Sequence, residues 1–280
     1  MEIRYDVSPQ EFAGYKTQQL RDGFLISDLY QADKVRGIYS HVNRTVVLGI
    51  MPVNTEIVLD DSTEVWENFG TKTFFERREA GFFNIGGPGG CRVNGKEYPL
   101  ERKDCIYVGK EAQDVTFYSN DAENPAKFYG VSAPAHHPYE TRLVTMAQAN
   151  KIETGSAENA SQRQVYQFIH PDVMPSCQLS MGFTVLAPGN VWNTVPPHLH
   201  ARRNEIYTYF DLPKDELVFH FLGAPEETRH LVVRNEEAVL HPSWSLHTGC
   251  ATAAYIQLWA TTGENLDSSD VDGVDIALLR

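Results

Sequence analysis

The chain is poor in several things, and each scarcity excludes a class of protein. Its four cysteines, Cys91, Cys105, Cys177 and Cys250, are scattered, and none forms a C-x-x-C pair. That excludes a zinc knuckle or a thioredoxin-type redox motif and leaves four free thiols as the expectation. Apolar runs never approach the ~18 residues of a membrane-spanning helix, so no membrane role is expected. Basic residues are in deficit, 24 Lys and Arg against 37 Asp and Glu, giving a net charge of −13. No basic stripe is available to neutralise phosphates, so nucleic acid is not an expected partner. The first residues, MEIRYDVSPQEF, are polar and charged rather than a secretory leader, which points to the cytosol.

Long helical periodicity is also scarce. Over about 45–130, and again over about 175–262, the sequence runs in short apolar, aromatic and β-branched segments. Gly, Pro, Asn and Asp interrupt them about every eight to twelve residues, as around EAGFFNI, CIYVG, EIYTYF, ELVFHFL and YIQLWATTG. This rhythm predicts a mainly β chain of sandwich or barrel type with few short helices. Helices are expected only over 9–21 and for a turn or two around 143–150. Residues 150–163 read as a polar link between two halves, and the acidic tail after Glu264 as a surface arm. Arg77-Arg78-Glu79 and Arg202-Arg203-Asn204-Glu205 open similar strand patterns, a faint internal repeat. The organisation expected is an N-terminal barrel over 1–150 and a C-terminal barrel over 164–280. Gly86-Gly87-Pro88-Gly89-Gly90 opens no helix after a strand, so it reads as a hairpin or loop rich in positive φ rather than a phosphate cradle.

The chemistry concentrates in Trp192-Asn193-Thr194-Val-Pro-Pro-His198-Leu-His200-Ala-Arg202-Arg203-Asn-Glu205. Histidines at i and i+2 on a strand share a face, so both imidazoles reach one ion. Glu205 stands at an odd offset from His198 and is expected to return on the neighbouring strand of a hairpin. His247, flanked by Pro242 and Gly249, is the expected fourth ligand from a distant strand. Three histidines and a carboxylate suit Zn, Mn or Fe, one ion per chain. Positions corresponding to the histidines fall near Lys72, Phe74 and Gln113 in the first half, so only the second barrel is expected to bind metal. Arg202, Arg203 and Arg229 are the nearest arginines in sequence for an anionic substrate. Gln178, Met181 and the Trp192-Asn193-Thr194 run are expected to line a pocket. Tyr207, His220 and His230 are the candidates for proton transfer.

This ligand spacing resembles the cupin signature. Longer strings narrow the resemblance: FERREAGFFNIGG (75–87), CQLSMGFTVLAPGNVWNT (177–194), the run from His198 to Phe210, and GAPEETRHLVVRNEEAVLHPSWSLHTG (223–249). With YSHVNR (39–44) and the AKFY–SAPAH stretch (126–136), they are similar to the 5-keto-4-deoxyuronate isomerases over nearly the whole chain. The resemblance implies two tandem cupin-type barrels and a Zn²⁺ held by His198, His200, Glu205 and His247. It further implies a homohexamer and a uronate substrate from pectin breakdown. The implied reaction interconverts 5-dehydro-4-deoxy-D-glucuronate and 3-deoxy-D-glycero-2,5-hexodiulosonate through an enediol. A metal-dependent cupin oxygenase and a non-catalytic sugar-binding cupin share the ligand set and are the competing readings.

Overall fold

Alternating apolar residues build strands almost throughout. The computed structural model describes residues 1–264, 267 and 269–280. The described chain forms two compact units. The first comprises Met1–Arg4, Asp28–Ala149 and Phe168–Ser180; the second comprises Tyr5–Ser27, Asn150–Gln167 and Met181–Arg280. The division is therefore not a single cut near residue 150, because the N-terminal segment and the 168–180 stretch are exchanged between the units.

The first unit carries a seven-stranded sheet with the order Glu2–Arg4, Lys34–Ser40, Thr45–Met51, Phe128–Pro134, Arg78–Asn84, Cys105–Val108, Arg142–Val144. A four-stranded sheet runs Ile57–Val58, Thr116–Ser119, Gly89–Val93, Lys96–Leu100. Phe74, Phe82, Phe117 and Phe128 fill the space between them. This interior is apolar, and among the described residues it holds no group of metal-binding side chains. Gly86, Gly87, Gly89 and Gly90 are not in the positive-φ region expected of them. They are small because neighbours press close: a Cβ on Gly87 would stand 1.9 Å from the Asn124 carbonyl oxygen.

Glu79 ties the 168–180 stretch into this unit. Its buried carboxylate accepts from the backbone N–H groups of Cys177 (2.8 Å), Gln178 (2.7 Å) and Leu179 (2.9 Å) and from the Tyr107 hydroxyl (2.6 Å). All four cysteines are free.

The second unit repeats the arrangement. Its seven-stranded sheet has the order Asn150–Thr154, Arg163–Ile169, Leu179–Leu186, Ile256–Gly263, Arg203–Phe210, Ala238–His241, Leu25–Ile26. The second sheet runs Glu227–Val233, Val218–Ala224, Leu246–Ala251, Trp192–Leu199, Asp272–Gly273. Tyr207 and Tyr209 from the larger sheet meet Val218, Leu222 and Leu231 from the smaller in one core.

Two local expectations are corrected here, and a third is refined. The stretch 150–163 is an antiparallel hairpin arm rather than a link, with Asn150 opposite Gln167 and Thr154 opposite Arg163. It reads as polar because it is an edge strand, exposed over most of its length. Residues 143–150 contain the strand Arg142–Val144 and a hydrogen-bonded turn instead of a helix. The described part of the tail lies largely at the surface as expected, and it is held there: Asp272–Gly273 pairs with His198 and Leu199, and the Arg280 carbonyl accepts from Thr228 N–H.

The helix expected over 9–21 is two helices, Pro9–Ala13 and Thr17–Phe24. Ser8 and Glu11 form a capping box at the first, and Gly14 ends it. Phe12 packs edge-on against Phe24 (5.6 Å) and Trp244 (5.2 Å), sealing the second unit's core.

Candidate metal centre

The second barrel brings its four ligand candidates together from three strands and the corner between two of them. His198 ends the Trp192–Leu199 strand, which pairs with Leu246–Ala251, so that His198 stands opposite His247. The register shifts between Asn193 and His198, at the Pro196-Pro197 step, and re-aims the strand end. Glu205 lies on Arg203–Phe210 in the other sheet, between His241 and Thr261. The chain therefore turns a corner from one sheet to the facing one at Ala201-Arg202, and the hairpin expected there is not formed. His200 sits at that corner. Pro242 opens a turn before His247, as expected, whereas Gly249 lies within the same strand as His247 and marks no turn.

The donor atoms converge. Glu205 Oε2 is 2.8 Å from His200 Nε2 and 3.0 Å from His247 Nε2, and His247 Nε2 is 3.1 Å from His198 Nε2. All four ligand atoms lie within 4.8 Å of one another. Donors about 2.0–2.1 Å from a small divalent ion stand roughly 3 Å apart, so the spacing fits one such ion. The protonation pattern fits as well. His200 Nδ1–H donates to the Arg203 carbonyl at 3.1 Å, which leaves the Nε2 lone pair facing the cluster. Burial, reinforced by His247, pulls the His198 pKa down to about 3, so its imidazole is neutral at pH 7. Burial opposes ionisation of Glu205, yet the His247 and His200 side chains prevail and hold its carboxyl well below the usual range. Three imidazoles and one carboxylate are a donor set that could hold a divalent cation.

Behind the cluster lies a layer with no signal in the ligand spacing. His241 Nε2 is 2.5 Å from His220 Nε2, and His241 Nδ1 is 3.1 Å from the Glu205 carbonyl oxygen. His220 Nδ1 is 2.6 Å from the Tyr209 hydroxyl. A carbonyl only accepts, so His241 Nδ1 carries a proton and its Nε2 accepts. His220 Nε2 must then donate, and its Nδ1 accepts from Tyr209. Burial keeps both rings neutral, with the His220 pKa lowered to about 3 and that of His241 well below its usual value. His220 is thus a buried support for the backbone of Glu205 rather than a solvent-connected shuttle.

Tyr207 shares the interior face of Glu205, as strand parity requires. Its ring centroid is 5.1 Å from that of His247, and its hydroxyl is 3.1 Å from Thr194 Oγ1. Burial and then the Glu205 charge push its pKa well up, so at neutral pH it is a proton donor. A cavity of about 240 Å³ opens beside the cluster. His198, Glu205, Tyr207, Asn193, Thr194 and Arg203 line it.

The other sequence candidates go elsewhere. Arg203 reaches the cavity wall, but both Asp270 carboxylate oxygens accept from its Nε at 3.1 Å, so its charge is spoken for. Arg202 points to solvent beside Glu264. Arg229 is engaged by Glu227 and the carbonyls of Ala13 and Thr228. His230 is exposed on the outer strand near Phe219 and Phe221. Gln178 belongs to the first unit, where its N–H serves Glu79. Met181 is fully buried, and neither it nor Trp192 lines the cavity.

Sequence reasoning missed Arg163, Gln257, Trp259 and Thr261, which also line the cavity. The signal for Arg163 was alternation: Arg163, Val165 and Gln167 all face the cavity from one strand. Its place at the end of the stretch read as a linker concealed it. Trp259 and Thr261 stand opposite Tyr207 and Glu205 in the ladder.

Comparison with known proteins agrees with this architecture. The family model described as KduI/IolB matches residues 28–273. The chain is 45% identical over 280 residues, all of both chains, to the 4-deoxy-L-threo-5-hexosulose-uronate ketol-isomerase of Halalkalibacterium halodurans. It is 46% identical over 279 residues to the enzyme of that name from Formosa agariphila, covering 100% of this chain and 98% of the relative. Among solved structures, an IolB-like protein from Salmonella typhimurium superposes with a TM-score of 0.71 at 11% identity, over 90% of this chain and 96% of that one. Oxalate decarboxylase from Lactobacillus farciminis gives a TM-score of 0.60 at 11% identity, over 87% of each chain. The two structural likenesses concern the fold alone, a mainly β, cupin-type double barrel.

Proposed function

This chain belongs to the KduI/IolB family, and from that premise and its three-histidine, one-glutamate cluster we propose the following reading of its chemistry. It is a 4-deoxy-L-threo-5-hexosulose-uronate ketol-isomerase, an intramolecular oxidoreductase acting on a small sugar acid. It interconverts 5-dehydro-4-deoxy-D-glucuronate and 3-deoxy-D-glycero-2,5-hexodiulosonate. The observation that carries the mechanism is the convergence of His198, His200, Glu205 and His247 beside the cavity, whose wall includes His198 and Glu205. These four hold one divalent ion, which we take to be zinc because an aldose–ketose shift needs no redox change. Bound there, the ion supplies Lewis acidity that polarises a substrate carbonyl and stabilises negative charge on oxygen.

The remaining work falls to side chains of the chain itself. His200 is oriented by the Arg203 carbonyl, and Glu205 by the His241 ring beneath its backbone. Tyr207 carries its proton at neutral pH and sits where it can donate from its hydroxyl to a substrate oxygen. Thr194 fixes that hydroxyl's direction. The first barrel, with its apolar interior, has a structural role. We place the enzyme in cytoplasmic uronate breakdown, including that of pectin, as a homohexamer. Exposed Tyr5 and Trp66 are the kind of apolar surface that assembly covers. An oxygenase using the same ligands is disfavoured by full-length identity to isomerases. The test is an isomerase assay of the purified protein on the product of unsaturated-galacturonate breakdown, with oxygen uptake followed in parallel. Isomerisation without oxygen consumption supports the reading; oxygen consumption without isomerisation overturns it.

A further inference from the structure

A sugar acid in the cavity above the cluster brings a carboxylate with it, and the cavity wall offers two cations, Arg163 and Arg203. They differ in what already holds them. Arg203 is buried against Asp270, with its Nε shared between both carboxylate oxygens. Arg163 has no carboxylate partner among the described residues. Its Nη1 donates to the Ser161 carbonyl at 2.8 Å, leaving Nε and Nη2 without a partner among those residues. The ionisable groups acting on it are two phenols, Tyr207 and Tyr255. A half-buried guanidinium without a counter-ion is costly, and an anion entering the cavity offsets that cost.

Two further polar atoms mark the same wall as built for a ligand. Thr261 is 1% exposed and lines the cavity, and its Oγ1 has no hydrogen-bond partner. Gln257 is equally buried; its Oε1 accepts from Asn193 Nδ2, and its Nε2 finds no acceptor of hydrogen-bonding geometry. Orphaned polar atoms at this depth are uncommon without a ligand or water to satisfy them. The wall thus offers a planar cationic fork, a hydroxyl and an amide donor, with the ligand cluster beside the cavity.

We propose that Arg163 is the carboxylate anchor of this enzyme, binding the substrate's acid end while the other end of the open chain reaches the His198/Glu205 side, and so sets its preference for uronates over neutral sugars. This rests on the isomerase reading above and adds to it the group that selects the acid. A guanidinium pairs two N–H groups with two carboxylate oxygens, which an ammonium does not reproduce. Arg163→Lys should therefore rescue only in part.

The test compares the uronate with its neutral counterpart, a 4-deoxy-5-hexosulose with a primary alcohol at C6, on metal-loaded enzyme. Wild-type enzyme should favour the uronate in kcat/KM. In Arg163→Ala that preference should shrink on the order of 100-fold, mainly through KM, with metal content and melting temperature held. Arg163→Lys should recover part of it, and Arg202→Ala, an outward-facing control, should keep it whole. Equal losses on both compounds would assign Arg163 to holding the Ser161 turn and overturn the inference. So would wild-type enzyme that turns over both compounds alike, or an unchanged preference in Arg163→Ala. Wild-type enzyme inactive on both compounds would instead sink the isomerase reading itself, and the inference with it.

Discussion

His220 and His241 face each other through their Nε2 atoms at 2.5 Å, and the partners at either end fix which one carries the proton. The chain runs Tyr209 hydroxyl, His220, His241, Glu205 carbonyl, with each group donating to the next. Breaking it at Tyr209 by Tyr209→Phe leaves the buried His220 Nδ1 without a donor, which should cost about 1–3 kcal/mol of stability. Denaturant midpoints with bound metal measured alongside would check this. An unchanged midpoint would show that water replaces the phenol.

The same pair gives the second barrel an acid-sensitive element. His220 is held neutral, with a folded pKa of about 3, whereas an unfolded histidine titrates near its ordinary value of 6.5. Between those values the unfolded chain binds the extra proton. The stabilising contribution is complete above about pH 6.5 and is lost as pH falls toward about 3. Thermal melts of metal-free protein should fall across that window, and His220→Phe should flatten the decline even if it lowers the plateau. A variant with the wild-type slope would contradict the assignment.

In the first barrel, Glu79 is the acceptor for three consecutive backbone N–H groups and the Tyr107 hydroxyl. Glu79→Ala strands three buried donors and one half-buried one and should destabilise that unit by at least about 3 kcal/mol. Hydrogen exchange at 177–179 should accelerate before exchange in the second barrel does. Uniform acceleration in both would mean that the carboxylate is not a local staple.

Removing a ligand should separate metal from fold. Glu205→Ala or His247→Ala should drop bound metal well below one ion per chain and isomerisation to background, while the β-sheet circular dichroism persists. Persistence is expected because the strands carrying these residues are held by backbone ladders along their length.

How much of this was legible in the sequence depends on the range of each signal. That His198, His200 and Glu205 could meet was legible because H-x-H and the following Glu span eight residues; His247, from a distant strand, joins them in one group that could hold an ion. The sheet to which Glu205 belongs was not legible, because alternation gives the face of a strand and not its neighbour; the corner at Ala201-Arg202 looks like a hairpin in sequence. Arg203 read as a candidate for an anionic substrate because its actual counter-ion, Asp270, lies 67 residues on. The 150–163 arm read as a linker because an edge strand exposed on both faces lacks an apolar stripe. Likewise nothing local says that Tyr5–Ser27 completes the second unit; that follows from Phe12 and Phe24 finding Trp244 and its surroundings.

The central claim is that isomerisation depends on one ion held by His198, His200, Glu205 and His247. Elemental analysis of the purified protein, paired with isomerase activity before chelation, after chelation and during zinc titration, tests it directly. The account predicts about one divalent ion per chain, activity lost with the ion, and recovery that saturates at one equivalent. Full activity in a metal-free His198→Ala protein would contradict it.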